Sequence, residues 1–232
     1  MPGSLEPSDQ LLNKSTLSNR RSLSKDVVDL LRAALIRGAF KPDEHLNEAA
    51  LAEKLGVSRG PIREAFAELE REGLLRLERH RGARVTRLSP ADVEEIYALR
   101  EVLERLAVER AVRYAGDDDF ADLADVIERM RRAVEDADLH GVVALDIRFH
   151  DLIYVAAHHS RLYSSWSTLR PQIETFLHSR LIDCDSNDYL QRAVPEHVEL
   201  LDAMRSRSEP DATRLIDSHI RDSYDRLSHL SA

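Results

Sequence analysis

The sequence predicts a mainly α-helical chain in two parts. A small N-terminal module of helices is closed by a β-hairpin, and a C-terminal bundle is built from helices alone. Three observations predict this. Apolar residues recur at helical spacing along most of the 232 residues. The one stretch that reads as strands, Leu75 to Leu88, follows two short helices joined through a glycine. From Ser89 onward no strand signal occurs.

The length suits two domains, and 43% hydrophobic with 32% charged residues suits well-solvated cores. No apolar run approaches the roughly 18 residues of a membrane span. The polar start of the chain lacks the apolar region of a secretory signal. A cytoplasmic protein with no membrane partner is therefore expected. A lone cysteine, Cys184, excludes an internal disulfide framework and a multi-cysteine metal site. The net charge of −9 hides an asymmetry. Residues 1–90 carry 16 Lys and Arg against 13 Asp and Glu, whereas the remainder carries 17 against 29. A slightly basic module joined to an acidic one is compatible with DNA binding, since only the contacting face must be positive.

Residues 1–22 are rich in Ser, Asn and Pro without periodicity and read as a flexible tail. A helix is expected from Leu23, with Val27, Val28, Leu31, Ala34 and Leu35 on one side. Asn47 is the expected cap of a second helix that turns Ala50, Leu51 and Leu55 inward. Gly56 supplies a tight turn, and Ser58 then caps a third helix with Pro61 in its first turn and Ile62, Ala65, Phe66 and Leu69 as its apolar side. Gly73 stops it. Leu75 to Glu78 and Val85 to Leu88 make a hairpin whose turn, His80-Arg81-Gly82, is flanked by Arg79 and Arg84. Two helices joined by a glycine turn and followed by such a hairpin form a winged helix-turn-helix, expected over 23–88. Ser89-Pro90 opens the second domain, 89–232, with helices expected near 90–114, 119–137, 140–158, 160–182, 195–206 and 210–230.

Arg59 and Arg63 lie one turn apart near the start of the third helix, opposite Ile62 and Phe66. In a helix-turn-helix that end of the second helix meets base edges, and the arginine fork donates two bonds to guanine. Ser58 and the amides beside it can take a phosphate, and Arg81 at the hairpin suits the DNA backbone or minor groove. In the second domain, polar residues occupy positions where the helical pattern wants apolar ones. Asp146 and His150 are four apart, His197 precedes Leu200, Leu201 and Met204 at the start of its helix, and His219 shares a face with Leu215 and Ile216. Burying them unpartnered would cost several kcal/mol. One divalent transition metal would satisfy all four, with zinc first and Ni, Fe or Mn as alternatives. An internal hydrogen-bond network is the other explanation of the same pattern.

The stretch LAEKLGVSRGPIREAFAELEREGLLRLERHRGARV resembles the winged helix-turn-helix of the GntR family of bacterial regulators, the likeness covering about residues 23–88. It implies that Ser58, Arg59, Gly60 and Arg63 contact operator DNA and that Gly82 sits at the wing tip. Glu48 departs from the polar or basic residue usual there and would repel phosphate. LREVLERLAVERA, LDIRFHDLIYVAA and EHVELLDAM…DSHI resemble the FCD ligand-binding domain of the FadR subfamily, over about 94–220. That resemblance implies a metal held by Asp146, His150, His197 and His219. It also implies a homodimer on a near-palindromic site, and a small carboxylate effector met by Arg100. A structural ion pair of Arg100 with Glu104 or Glu101 is the competing reading. His158-His159 stand where an Asn is usual, which puts the identity of the effector in question. The expected function is transcriptional regulation, repression by default, without enzymatic activity. A metal-dependent hydrolase with a regulatory DNA-binding module, and a DNA-binding dimer whose metal is purely structural, are the rivals.

Overall fold

The computed structural model describes residues 20–78, 81–183 and 187–228. Most of the expected tail, the hairpin residues Arg79 and His80, and Cys184 lie outside the described residues. The chain divides into two compact units, Met1–Leu88 and Ser89–Ala232.

The first unit runs α1 (Arg20–Ile36), β1 (His45–Leu46), α2 (Glu48–Leu55), α3 (Arg59–Arg71), β2 (Leu75–Glu78) and β3 (Gly82–Val85). Helix α1 starts three residues ahead of the expected Leu23. Its Val27, Leu31, Ala34 and Leu35 pack with Ile62, Ala65, Phe66 and Leu69 of α3 in one core. Asn47 caps α2, its Oδ1 accepting from the amides of Ala49 and Ala50. The inward residues of α2 are Leu51, Ala52 and Leu55, whereas Ala50, expected inside, is exposed. At about 100° per residue, position 52 falls beside 51 and 55 while position 50 turns away. Gly56, left-handed at φ 67, ends α2. At the end of α3, Gly73 and Leu74 donate to Glu70 O and Leu69 O, closing the helix on a left-handed glycine.

The three strands pair antiparallel in the order β1-β3-β2. Leu75 faces Val85 and Leu77 faces Ala83 across the hairpin, while His45 and Leu46 face Arg84 and Ala83 on the other side. A two-residue strand has no readable period, so β1 was not expected. Strand β3 ends at Val85, which leaves Leu88, expected within it, half-buried beyond the pairing.

The second unit is α4 (Pro90–Tyr114), α5 (Asp117–Glu135), α6 (Leu139–Ala156), α7 (Ser160–Asp183), α8 (Asn187–Arg205) and α9 (Glu209–Ser228). Ser89 and Asp92 form a reciprocal capping box with Pro90 in the first turn of α4. Helix α4 packs on α9, α6 and α7, and α5 on α6 and α8. Leu123, Met130, Phe149, Ile153, Ile173, Met204 and Ile216, from five of the helices, are fully buried in the core. One boundary differs from expectation by more than a turn. Helix α8 begins at Asn187, not at Pro195, and carries that proline inside it. Proline costs an interior helix one hydrogen bond and a ring clash. Here Ala193 and Val194 are buried just before it, and that packing carries the helix through. His197 is consequently in mid-helix, and not at the start of one.

Gly82 carries a structural requirement of its own. Its φ is 102, and a Cβ placed there would strike the backbone oxygen of Leu46 in β1. Gly82→Ala is expected to cost roughly 1–3 kcal/mol by straining the backbone and separating β1 from β3. Chemical denaturation compared with wild type reads this directly, and an unchanged transition would show that the strand pairing does not depend on this glycine.

Candidate functional site

The first unit presents a groove of about 860 Å³ bordered by Glu48, Arg59 and Arg63 on one side and by Glu78, Arg81 and Arg84 on the other. Helix α3 supplies the arginines because its opposite side, Ile62, Ala65, Phe66 and Leu69, is committed to the core. Ser58 stands at the cap position of α3 with extended backbone, but its side chain makes no capping hydrogen bond, contrary to expectation. The hydroxyl and the first amides of α3 are thus not closed on each other. Gly60 is exposed, and an added Cβ would meet only Ser58 Oγ at 3.9 Å, so internal packing does not require glycine there. Arg59 is exposed. Arg63, also exposed, reaches Glu48 Oε2 at 3.2 Å.

The hairpin is braced from within. His45 Nε2 donates to the Arg81 carbonyl at 2.5 Å. Arg84 donates to Glu78 Oε1 and to the Asp43 carbonyl, both at 2.7 Å. Arg76 and Arg87 both pair with Asp43, whose carboxyl is held below its usual range, chiefly by the hydrogen bond from Arg87. Arg84 therefore belongs to the bracing of the hairpin, while the Arg81 side chain remains at the groove.

In the second unit the structure brings Asp146, His150, His197 and His219 together. One ligand atom from each lies within 4.8 Å of the others. Asp146, His150 and His197 are buried and His219 is nearly so. The Nδ1 atoms face outward from this centre. His197 Nδ1 donates to the Ala193 carbonyl at 2.5 Å. His219 Nδ1 bonds Glu196 Oε2 at 2.9 Å. His150 Nδ1 is 3.0 Å from Glu104 Oε1, near enough to pair though off the line of a straight hydrogen bond. With those protons fixed on Nδ1, the Nε2 lone pairs point inward. His150 Nε2 and His219 Nε2 are 3.3 Å apart, and His197 Nε2 is 3.2 Å from Asp146 Oδ1. Four acceptors confronting one another repel unless a proton or a cation lies among them.

Burial pushes the Asp146 carboxyl up, but His197 beside it and the surrounding imidazoles, which share any proton held in the metal-free centre, outweigh it and hold the group well below the usual carboxylate range. Burial pushes His219 down to about 4 despite the hydrogen bond to Glu196. Glu104 and Glu196 are both pushed up by burial and pulled further down by their histidine and arginine partners.

Arg100 is 1% exposed and its Nε lies 3.3 Å from Glu104 Oε1, so the ion pair with Glu104 exists, while Glu101 pairs with Arg221. The pair leaves one guanidinium nitrogen, Nη2, buried without a hydrogen-bond partner. The hydroxyls of Tyr97, Tyr154 and Tyr189 are also buried and unpartnered, although Ser223 and Arg100 approach that of Tyr97. Tyr97, Tyr189 and Arg100 all feel the Asp146 charge, and Tyr154 feels Arg100 and Glu104. Tyr154 stacks on Trp166 at 4.8 Å, which fixes its ring. The tyrosines and Glu196 escaped sequence reasoning. Tyrosine at a core position reads as ordinary packing, and Glu196 lies 23 residues from the histidine it orients. The His158-His159 departure is absorbed locally. His158 takes a left-handed φ of 48, and His159 Nδ1 accepts from the Leu162 amide, doing the capping work of an Asn.

Comparison with known proteins gives a consistent result. The FCD domain model matches residues 95–222, and the model for bacterial regulatory proteins of the gntR family matches residues 23–85. The gluconate operon transcriptional repressor of Bacillus licheniformis is 34% identical over 173 residues, covering 75% of this chain and 71% of that protein. YdhC of Bacillus subtilis (strain 168), an uncharacterized HTH-type transcriptional regulator, is 29% identical over 86% of this chain and 88% of its own length. Among solved structures, E. coli McbR/YncC superposes with a TM-score of 0.80 at 24% identity, over 90% of this chain and 98% of that one, a likeness of fold.

Neutral burial of His219 sets a pH dependence for the metal-free protein. An unfolded histidine titrates near 6.5, so between about 6.5 and about 4 the unfolded chain binds a proton that the folded one does not. Stability should fall as pH drops through that window. Denaturation of chelator-treated protein at pH 7 and pH 5 measures this, and His219→Gln should flatten the difference. An equal pH dependence in that variant would remove His219 from the account.

Proposed function

The chain belongs to the GntR family of bacterial transcriptional regulators and carries an FCD domain, and from that premise we propose a division of labour between its two units. The first reads an operator through Ser58, Arg59, Gly60 and Arg63 of the α3 region, with Arg81 and Gly82 of the hairpin against the backbone or minor groove. The second holds one divalent transition metal with Asp146, His150, His197 and His219, and takes a small carboxylate effector beside it with the help of Arg100.

The observation that carries the second half is the acceptor-only centre. Three imidazoles with their Nδ1 positions committed to a carbonyl or a carboxylate, together with Asp146, offer lone pairs and no donor to the space between them. Histidine ligands oriented by outer carboxylates are the usual support of a metal site. An N/O donor set of this kind suits zinc first, with Ni, Fe and Mn as alternatives. A bound ion would supply positive charge for an anionic effector. The chain's own contribution is the unpartnered Nη2 of Arg100 and the hydroxyls of Tyr97, Tyr154 and Tyr189, all able to donate. Such a set of donors suits a carboxylate that also bears hydroxyl oxygens, and the gluconate operon in the name of one relative supports that class.

A homodimer meets the symmetry of a two-half-site operator. Leu99, Val102 and Leu106 of α4, spaced three and four apart and 50%, 64% and 40% exposed, give this unit an apolar stripe suited to a second copy.

Two measurements test these roles. Metal analysis of untagged protein should find one equivalent in wild type and none in His197→Ala. Absence from carefully handled wild type would make the cluster an internal hydrogen-bond network. In a mobility-shift assay with operator DNA, Arg59→Ala combined with Arg63→Ala should abolish the specific complex, each guanine contact being worth about 1–3 kcal/mol. Retained affinity would sink the assignment of α3.

A further inference from the structure

We infer that Glu48 is a specificity-determining residue of the DNA-reading groove. Its carboxylate holds the Arg63 guanidinium for one base and keeps phosphate away from that position. The inference rests on the base-reading role proposed above for Arg63.

The geometry is particular. Glu48 opens α2 and Arg63 sits on α3, so the 3.2 Å contact between them bridges the two helices on one side of the groove. The carboxylate is mostly covered, with 26% of its side chain exposed, while Arg63 remains 72% exposed. The contact therefore ties down the arginine at one nitrogen, Nη2, and leaves the remaining donors of its fork turned to solvent. An arginine free to swing can satisfy a phosphate, a guanine or an adjacent base almost equally. One fixed at Nη2 presents its other donors in a single plane, and the pair of acceptors O6 and N7 makes guanine the partner that fits.

The helix dipole favours an acid in the first turn of α2, which explains a charge at Glu48 but not its contact with Arg63. Asn47 already receives the amides of Ala49 and Ala50, so the first turn of α2 is capped without Glu48. An ion pair with so exposed a partner adds little. What Glu48 does supply is a negative charge beside Arg59 and Arg63, on the side of the groove away from its other acid, Glu78, which is already paired with Arg84. Non-specific affinity comes from cations meeting phosphates, so an acid placed there lowers affinity for any duplex that does not offset it with a correct base. That is discrimination by a repulsive element as well as an attractive one.

The experiment is selection of half-sites from a randomised duplex library by the full-length protein, followed by titration of the selected and of random duplexes. Wild type, Arg63→Ala, Glu48→Ala and Glu48→Gln are compared, with melting curves to establish that each folds. Arg63→Ala should lose the guanine preference at one half-site position. Glu48→Ala should relax that same position about tenfold and bind random duplex more tightly than wild type, with a steeper salt dependence. Glu48→Gln, which keeps the size and loses the charge, should show the same gain for random duplex. If Glu48→Ala leaves the preference intact, or weakens selected and random duplexes alike, the inference is overturned while the role of Arg63 stands. If Arg63→Ala changes nothing, the reading of α3 fails and this inference falls with it.

Discussion

Hiding one carboxylate and three imidazoles among six helices is the constraint around which the second unit is organised. Unpartnered, such groups cost several kcal/mol. The protein answers with outer partners on several helices. Glu104 of α4 faces His150, Glu196 of α8 faces His219, and the carbonyl of Ala193 holds His197. Each partner needs its own support. Glu104 is balanced by Arg100, whose guanidinium is flanked by the rings of Tyr97 and Trp166 at 5.6 and 5.9 Å. Glu196 is balanced by Arg226 at 3.4 Å. Buried charge thus extends outward in layers, and removing a single member would strand its partner in a low-dielectric interior. The helical framework follows suit. α8 runs through Pro195 so that His197 lies in mid-helix, with its Nδ1 within reach of the carbonyl one turn back.

The first unit solves a different problem. It must keep cations on its surface without letting them fold back onto their own acids. The hairpin spends Arg76, Arg84 and Arg87 on Asp43 and Glu78, and these pairs brace the strands. Arg59 stays exposed, and Arg63, held by Glu48 at one nitrogen, keeps its remaining donors exposed, because the other face of α3 is apolar. The short strand β1 contributes to this division. It brings His45 to the Arg81 carbonyl and so sets the hairpin's edge against the start of α2.

How much of this could be read from the chain differs by kind of interaction. Periodicity gave away α3 and α4, whose faces are long and whose caps are marked by Ser58, Ser89 and Pro90. It also brought out the four polar intruders, since Asp146 and His150 interrupt an apolar stripe at a spacing of four. It could not find β1, two residues long, nor the true start of α8, because a proline signals a helix beginning unless tertiary packing overrides it. Side-chain commitments were the least legible. Ser58 has the right position for a cap and does not make the bond. Arg100 had two acidic candidates at helical spacing, and only the fold selects Glu104 over Glu101. Long-range partners such as Glu196 for His219 leave no trace in local spacing.

The chemistry left unsatisfied is as informative as the bonds that form. Around the acceptor-only centre the groups lacking partners include Arg100 Nη2 and three tyrosine hydroxyls, and all of these can donate. A cationic ligand would meet acceptors in the tyrosine oxygens and in Glu104 Oε2, also buried without a partner, but would oppose the Arg100 charge. A hydrocarbon ligand would leave each of them buried and unpaired, at a cost of about 1–3 kcal/mol for every group. A carboxylate with further oxygens would offer acceptors to all four donors and a counter-charge to Arg100. These donors support the effector class proposed above, and selectivity among carboxylates would then depend on which hydroxyl oxygens reach Tyr97, Tyr154 and Tyr189. Such a ligand alters DNA affinity only if the conformation that binds the operator offers it a different set of these donors.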